Sequence, residues 1–180
     1  MAQGFLQVPG VDFDETFAPV TRHQSLRILL ALANRYGWHV HQIDVKSAFL
    51  NGDLENEIFM NVPPEYEAKE NEVWLLHKAL YGLKQASREW YLKLKKELES
   101  LIFVRSSADH GVFIKTIEGR LFVVAVWVND FLLFSSNIGD MEEIKWSLAQ
   151  CFEMKDLREV KWALQMKVDA TNFIWTYLHE

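Results

Sequence analysis

Two neighbouring residues with oxygen-bearing side chains interrupt the most apolar part of the chain. Asn129 and Asp130 stand between the runs 121-LFVVAVWV-128 and 131-FLLFSS-136. A further carboxylate, Asp44, lies near the end of the aromatic and β-branched run 38-WHVHQIDV-45. Such oxygens bind hard cations, and Mg²⁺ in particular also retains waters and substrate phosphates. Two such ions a few ångströms apart are the usual device for phosphoryl transfer, so these residues predict that chemistry if the fold brings them together.

The Asn-Asp pair also has a purely structural explanation. Both residue types tolerate left-handed backbone angles and suit two-residue turns between strands. The flanking apolar runs would then form a β-hairpin with Asn129 and Asp130 at its tip. Asp44 favours a metal site over a plain turn, because the end of the first strand lies near the hairpin turn when that strand and the hairpin are neighbours in one sheet.

The pattern of apolar residues predicts an α+β domain. Its main elements follow in the order βαββαβ, which is that of a split, ferredoxin-like sheet with helices on one face. These elements are a strand over 38–45, a helix over 87–101, strands over 121–128 and 131–136, a helix over 140–152 and a strand over 162–168, with additional strands over 54–62 and 111–116.

A further helix is predicted after Pro19. Thr21 and Gln24 form a capping-box pattern at its start. Gly37 suits its C-terminal cap, where a left-handed backbone angle is common.

The composition limits the class of protein. The chain has 180 residues, of which 49% are hydrophobic and 13% aromatic, so a domain with a substantial core is expected. The apolar runs are too short to cross a bilayer, and the N-terminus has no signal-peptide pattern. The single cysteine, Cys151, excludes an internal disulfide and a multi-cysteine zinc site. A soluble intracellular protein of the cytoplasm or nucleus, without membrane contact, is predicted.

The charge distribution gives no clear nucleic-acid signature. The formal net charge is -6, whereas proteins that grip phosphates usually carry a basic excess or a basic face. Basic residues are concentrated between Lys84 and Lys96. Because glutamates are interleaved with them, a solvated helix face is the favoured interpretation.

Five segments share their order and spacing with one known family: 10-GVDFDETFAPVTRHQSLRILLALA-33, 42-QIDVKSAFLNGDLENEIFM-60, 79-ALYGLKQASREWY-91, 126-VWVNDFLLFSSN-137 and 152-FEMKDLREV-160. In them the chain resembles the reverse transcriptase of Ty1/copia-type retrotransposons, over residues 2 to about 168. The resemblance implies an RNA-directed DNA polymerase domain of a Pol polyprotein. Residues 1–170 would hold a palm with part of the fingers (about 1–37 and 46–80), and a tail, 171–180, could add one more strand.

The resemblance also implies a role for each matching residue. Asp44 and Asp130 correspond to metal-binding aspartates and the Val45 carbonyl to a backbone ligand, with Mg²⁺ or Mn²⁺ as cofactor. Phe49 corresponds to the steric gate that favours deoxynucleotides. Template–primer nucleic acid and a deoxynucleoside triphosphate are the implied partners. The other implied nucleotide-binding positions are Lys46, Ser47, Tyr81, Gly82 and Lys84, the last also as a template contact, and residues 162–168 occupy the place of the primer grip.

The active-site box departs from the family pattern. The sequence from Trp127 to Asp130 stands where the family has Tyr-Val-Asp-Asp, so Asn129 replaces an aspartate that is a direct metal ligand. Even the loss of a residue behind the ligands typically reduces metal affinity or activity by about 10–100-fold. A loss of at least that size is therefore expected here. Other departures are Leu6 for an arginine, Ser87 for a proline and Gln165 for a glycine of the primer grip.

Missing segments reinforce this expectation. The family's fingers strand with a triphosphate-binding arginine would precede residue 2, and its thumb, connection and RNase H regions would follow residue 170. Three functions of different classes are then open. A decayed reverse transcriptase fragment that is inactive alone is favoured. The others are an active polymerase subunit completed by another chain, and a binding module that has taken a protein or nucleic-acid partner over the surface left bare by the missing thumb.

Overall fold

The computed structural model describes residues 2–163, 166–168 and 176–177. This part of the chain mixes helix and sheet, as predicted. Its helices are α1 (His23–Tyr36), α2 (Ala86–Ser100) and α3 (Ile138–Cys151). Its strands are β1 (His39–Val45), β2 (Asp53–Asn61), β3 (Val73–Lys78), β4 (Val104–Arg105), β5 (Val112–Ile117), β6 (Arg120–Trp127), β7 (Asp130–Ser135), β8 (Met154–Glu159), β9 (Trp162–Ala163), β10 (Met166–Lys167) and β11 (Thr176–Tyr177).

The chain divides into two compact units. One consists of residues 1–19 and 47–96, and the other of residues 20–46 and 97–180. The fingers parts predicted over 1–37 and 46–80 do not coincide with either unit, because α1 belongs to the second. Among the described residues no helix is long and apolar enough to cross a membrane.

The second unit is built on a six-stranded antiparallel sheet. Its order is β4-β5-β6-β7-β1-β8, so β6 and β7 form the predicted hairpin and β7 lies beside β1. β6 and β7 pair closely because both are rich in Val, Leu and Phe, which suit a pleated and buried surface. On one face, α1 packs its stripe of Leu26, Leu30 and Ala33 against Val40 and Phe134.

The predicted position of the last strand of this sheet was wrong. β8, from Met154 to Glu159, pairs with β1 at the edge of the sheet. The segment predicted instead, 162–168, supplies β9 and β10, which form a separate small sheet with β11. β8 escapes a periodicity argument because its residues are mostly charged and exposed, as is common for edge strands. Gln165, assigned to the primer grip, lies outside the described residues.

The predicted start of α1 was also wrong. The helix begins at His23, with Arg22 at the capping position and no side-chain cap. Thr21 is instead buried against the sheet, where its Oγ1 donates to the Gly111 carbonyl at 2.9 Å and its N–H to the Val126 carbonyl at 2.8 Å. The buried Asp109 accepts the Arg22 N–H at 2.9 Å, so a backbone donor at the start of the helix is satisfied by a residue distant in sequence. Gly37 ends the helix at φ 64°, as predicted.

A buried lysine joins α3 to the edge of the sheet. The Lys145 Nζ donates to Asp156 of β8 and to Glu142, each at 3.0 Å, and contacts His41 Nδ1 of β1. Asp156 also accepts the Arg158 N–H at 2.7 Å, beside the register shift where β8 bulges against β1. Burial, with the nearby Lys145 ammonium, lowers the pKa of His41 below 6.5. His41 is therefore held neutral, with Nδ1 as an acceptor.

Acidification is expected to weaken the fold through His41. The unfolded chain takes up this proton near pH 6.5 and the folded chain only at lower pH, so the stability present above pH 6.5 falls as pH decreases toward the folded pKa. The slope should stay below the limit for one proton, about 1.4 kcal/mol per pH unit, since the ring is partly solvated. Denaturant unfolding between about pH 7.5 and 5.5 would measure it.

The control for this prediction is His41→Gln. Its amide oxygen can still accept from Lys145 but does not titrate, so the variant should lose a measurable part of the slope. Asp156 does not interfere in this window. Burial alone would raise its pKa, but the Lys145 hydrogen bond brings it below 3.8. Parallel pH profiles for the two proteins would show that His41 is not the group responsible.

The first unit is organised around a two-stranded antiparallel sheet of β2 and β3. Ile58 of β2 is buried with Ala79, Leu83 and Ala86 in a small core. An N-terminal segment, residues 2–13, lies along the residues that follow β3. The Ala2 N–H donates to the Tyr81 carbonyl at 3.0 Å, and the Gly4 N–H to the Gly82 carbonyl at 3.1 Å.

Candidate active site

The two predicted carboxylates lie opposite each other in the main sheet. β1 and β7 are antiparallel, and their register pairs Asp44 with Asp130. Directly opposed residues in such a pair project from the same face, with Cβ atoms about 4.5–5.5 Å apart. The sheet therefore brings together two carboxylates that are far apart in the sequence. Both are half-buried, at the end where β1 stops and β7 starts.

The turn between β6 and β7 differs by one residue from the predicted one. Its two residues are Val128 and Asn129, whereas Asp130 is already the first residue of β7 and pairs with Trp127. Asn129 makes two hydrogen bonds to β1. Its carbonyl accepts the Val45 N–H at 2.8 Å, and its side-chain Nδ2 donates to Asp44 Oδ1. Because a carboxylate can only accept, the NH₂ group of this amide must face Asp44.

Asp130 has an amide partner as well. The Gln42 Nε2 donates to Asp130 Oδ1 at 3.0 Å. Gln42 is two residues before Asp44 on β1, so both side chains project from the same face. Each carboxylate of the pair is therefore bound by the amide of one neighbouring side chain.

A small cleft adjoins Asp130 on this face. Its polar lining consists of Thr21, Gln42 and Asp130, and Trp127 covers one side. The Trp127 indole packs against the His23 ring at 5.2 Å between centroids. The rest of the lining is apolar: Leu26, Ala125, Val126 and Leu132.

The two residues after Asp44 are engaged within the second unit. The Lys46 N–H, predicted to bind a triphosphate, donates to the Glu153 carbonyl at 2.9 Å. The Lys46 ammonium pairs with the Glu153 carboxylate at 2.6 Å, and that hydrogen bond raises the pKa of this exposed lysine. Val45 has a buried side chain, and its N–H is bound to Asn129.

The remaining predicted nucleotide-binding residues lie in the first unit. Phe49 stacks on Tyr81, with ring centroids 5.7 Å apart and planes 19° from parallel. Ser47 adopts a left-handed backbone at φ 48°. Lys84 is used inside the unit: its N–H donates to Gln7 Oε1 at 2.8 Å, and its Nζ donates to the Gln7 carbonyl at 3.2 Å.

Sequence comparison decides the family. Residues 1–178 match the family described as reverse transcriptase (RNA-dependent DNA polymerase). The chain belongs to this family. Its relatives include the retrovirus-related Pol polyprotein from transposon TNT 1-94 of Nicotiana tabacum, which is 39% identical over 93% of the chain and 13% of the relative. The polyprotein from transposon RE1 of Arabidopsis thaliana is 38% identical over 87% of the chain and 11% of the relative.

The relationship extends to yeast and confirms the Ty1/copia type. The transposon Ty1-BL Gag-Pol polyprotein of Saccharomyces cerevisiae is 26% identical over 86% of the chain and 9% of the relative. The chain thus spans roughly a tenth of the length of these polyproteins, from 9% to 13%. It is a reverse transcriptase domain of Ty1/copia-type Pol polyproteins.

The oxygen donors of this reverse transcriptase domain fit a cation only in part. Asp44 and Asp130 supply two carboxylates on one face of the sheet. Among the residues that the structure describes, no group of three or more His, Cys, Asp or Glu side chains is arranged to hold a metal ion. The third position of the site is Asn129, which donates hydrogen to Asp44 rather than adding charge.

The turn residue Val128 carries backbone strain. Its φ is +56°, a left-handed angle that is rare for a β-branched side chain and that typically costs about 1–3 kcal/mol. Asparagine tolerates this angle much better. Val128→Asn is therefore expected to raise the free energy of unfolding by about 1 kcal/mol, measured by denaturant titration.

A matched control for this prediction is Val104→Asn. Val104 lies in β4, where its backbone is extended and its side chain is exposed, so asparagine relieves nothing there. That variant should be neutral or slightly destabilising. Equal effects of the two substitutions would show that relief of strain in the turn is not the cause.

Proposed function

We propose that this chain is the palm, with part of the fingers, of a Ty1/copia reverse transcriptase, and that it has little or no polymerase activity by itself. The observation that carries the proposal is the register of β1 and β7, which sets Asp44 opposite Asp130, combined with the bond from Asn129 to Asp44. The strand order β8-β1-β7-β6, joined through α2 and α3, supports a ferredoxin-like palm.

The ancestral reaction joins a primer 3′-hydroxyl to the α-phosphate of a deoxynucleotide. Asp44, Asp130 and the Val45 carbonyl would hold Mg²⁺ or Mn²⁺. A bound divalent ion supplies charge stabilisation for the attacking and leaving oxygens of such a displacement. The contribution of the chain itself is to fix two carboxylates on adjoining strands, so that little rearrangement is needed when the ion binds.

Asn129 is the reason to expect weak activity. With an aspartate at this turn, three carboxylates would crowd together, and their mutual repulsion would favour a divalent ion. With an amide, the site has one negative charge fewer, so it attracts a divalent cation less strongly.

A nucleotide site is proposed in the first unit. The Phe49 ring would exclude a ribose 2′-hydroxyl, and its stacking on Tyr81 would keep it in place. Ser47 and Gly82 would contribute backbone groups near the nucleotide. Lys84 contributes less directly than the family pattern implies, because its ammonium already has a partner in the chain. The amide of Lys46, in the second unit, is likewise already bound to Glu153.

Templated primer extension tests the proposal. The isolated chain is assayed with Mg²⁺ and with Mn²⁺, beside the corresponding segment of a relative that has aspartates at both positions of the box. We expect no incorporation above that of Asp44→Asn. Robust incorporation that Asp44→Asn abolishes would overturn the proposed inactivity and support an active polymerase. Extension by the relative's segment would show that the assay can detect activity in a domain of this size.

A binding module is a second candidate, favoured by apolar side chains on the surface of the first unit. Phe5 and Val11 of the N-terminal segment, and Phe17 shortly after it, are each more than 70% exposed. Such side chains suit a protein partner better than nucleic acid, whose binding weakens steeply with salt. Titration of the chain with single-stranded and with duplex nucleic acid at several salt concentrations would distinguish a nucleic-acid partner from a protein partner. Salt-dependent binding of single-stranded or duplex nucleic acid would argue against a protein partner on this segment.

A further inference from the structure

Gln42 connects Asp130 to the cleft beside it in the second unit. Its Nε2 reaches Asp130 Oδ1 at 3.0 Å, across from β1 to β7. It also lines the cleft beside Asp130, together with Leu26, Ala125 and Leu132. In the strand register Gln42 lies between Leu132 of β7 and Arg158 of β8. The hydrogen bond that its amide donates is directed to Asp130.

The position of Asp130 at the start of β7 explains why a hydrogen-bond donor is required to orient its carboxylate. It is the first residue of β7 and follows the strained turn at Val128. A carboxylate at that point can rotate toward solvent unless a donor holds one of its oxygens. The bond from Gln42 holds Oδ1 on the face that Asp44 also occupies.

We propose that Gln42 is a positioning residue, which presents Asp130 to the metal. The inference rests on the proposed function in that Asp130 is taken as a metal-holding carboxylate. A neutral amide suits this task because it orients the carboxylate without adding positive charge. An arginine or lysine here would compete with the cation for the same oxygens, and a glutamate would repel Asp130.

A spectroscopic signature tests the bond directly. The side-chain NH₂ signals of Gln42 in a ¹H–¹⁵N spectrum are assigned by their loss in Gln42→Met, which has similar length and no donor. Asp130→Asn should shift these signals, whereas Asn61→Asp, an exposed change of charge in β2, should not. A merely structural role for Gln42 would not link its amide signals to Asp130 in this way.

Metal affinity then tests the positioning role, with Mn²⁺ as the probe and electron paramagnetic resonance as the readout. The background is Asn129→Asp, in which binding is expected to be strong enough to measure. Adding Gln42→Met should weaken Mn²⁺ binding by at least about 10-fold, the lower end of the effect of removing a residue that orients a ligand. The melting temperature of the double variant is measured in parallel, to exclude unfolding as the cause.

The outcomes separate the two proposals. If Asp44→Asn abolishes Mn²⁺ binding, Gln42→Met weakens it and Asp130→Asn shifts the Gln42 signals, the positioning role is supported. If Mn²⁺ binding depends on Asp44 but is indifferent to Gln42→Met, or if the Gln42 signals ignore Asp130→Asn, the positioning role is overturned and the metal site stands. If Asp44→Asn leaves Mn²⁺ binding unchanged, the metal site fails, and the inference about Gln42 fails with it.

Discussion

Asn129→Asp is expected to convert the carboxylate pair into a site whose stability depends on a divalent cation. The substitution removes the hydrogen bond to Asp44 and places a third carboxylate beside it. Without a cation, repulsion among the three groups should lower the free energy of unfolding. With Mn²⁺ or Mg²⁺, the affinity should rise by about 10–100-fold over the unchanged chain, the range seen when a metal site gains or loses a supporting group.

The measurement is a series of melting curves with increasing Mn²⁺. A ligand that binds only the folded state stabilises it by about 2.7 kcal/mol at 100 times its dissociation constant, so the variant should show a clear rise in melting temperature. The unchanged chain should respond only at much higher concentration. Asn61→Asp, the same change of charge on an exposed residue, is the matched control. A Mn²⁺ response equal to that of the control would refute the prediction.

The strands that carry Asp44 and Asp130 could be predicted from their own residues. The runs around Asp44, Asn129 and Asp130 are rich in Val, Ile, Leu and Phe and short enough to be strands, so the hairpin and the neighbouring strand follow from the pattern alone. The register of β6 and β7 is set by the two-residue turn that joins them. The pairing of Asp44 with Asp130 depends in addition on how β1 aligns with β7, and burial gives no signal for this because both faces of β7 are buried.

Other parts of the fold have no such signal. β8 is mostly charged, and its pairing with β1 is set by the exposed edge of the sheet rather than by its own residues. β3 was missed for a different reason: its outward residues, Val73 and Leu75, are as apolar as its inward ones, so alternation is hidden. Local propensity does not settle elements of either kind, because tertiary context selects them.

Partners distant in sequence account for the remaining differences at the site. The Gln42 bond to Asp130 and the Lys84 bonds to Gln7 join residues 88 and 77 positions apart, and no spacing rule connects them. The start of α1 is a similar case. Thr21 and Gln24 have the pattern of a capping box, but the Thr21 hydroxyl donates to the buried Gly111 carbonyl. At the start of the helix, Asp109 accepts the Arg22 N–H instead. A tertiary hydrogen bond overrides the local one.

Gly111→Ala is expected to lower the free energy of unfolding strongly, because there is no room for a Cβ atom at this position. A Cβ there would lie 2.2 Å from the Thr21 nitrogen and 2.5 Å from the Val20 carbonyl carbon, both of them backbone atoms. Neither can move alone, because the Thr21 N–H is bound to Val126 and the Thr21 hydroxyl to Gly111 itself. Gly111→Ala must therefore push the start of α1 away from the sheet and break these bonds. We expect a loss of about 3 kcal/mol or more in the free energy of unfolding.

Gly119→Ala is the control that isolates the steric contribution. Gly119 has φ +80°, and a Cβ there would meet nothing within 4 Å, so the only penalty is the left-handed backbone angle, about 1–2 kcal/mol. Chemical denaturation of both variants beside the unchanged chain gives the two losses. Because Val126 lies next to Trp127 at the cleft, Gly111→Ala should also change the tryptophan fluorescence of the folded state, and Gly119→Ala should not. If Gly111→Ala were no more destabilising than Gly119→Ala, the close approach of residues 20–21 to Gly111 would be wrong. The account of how α1 is held beside the carboxylate pair would then be wrong as well.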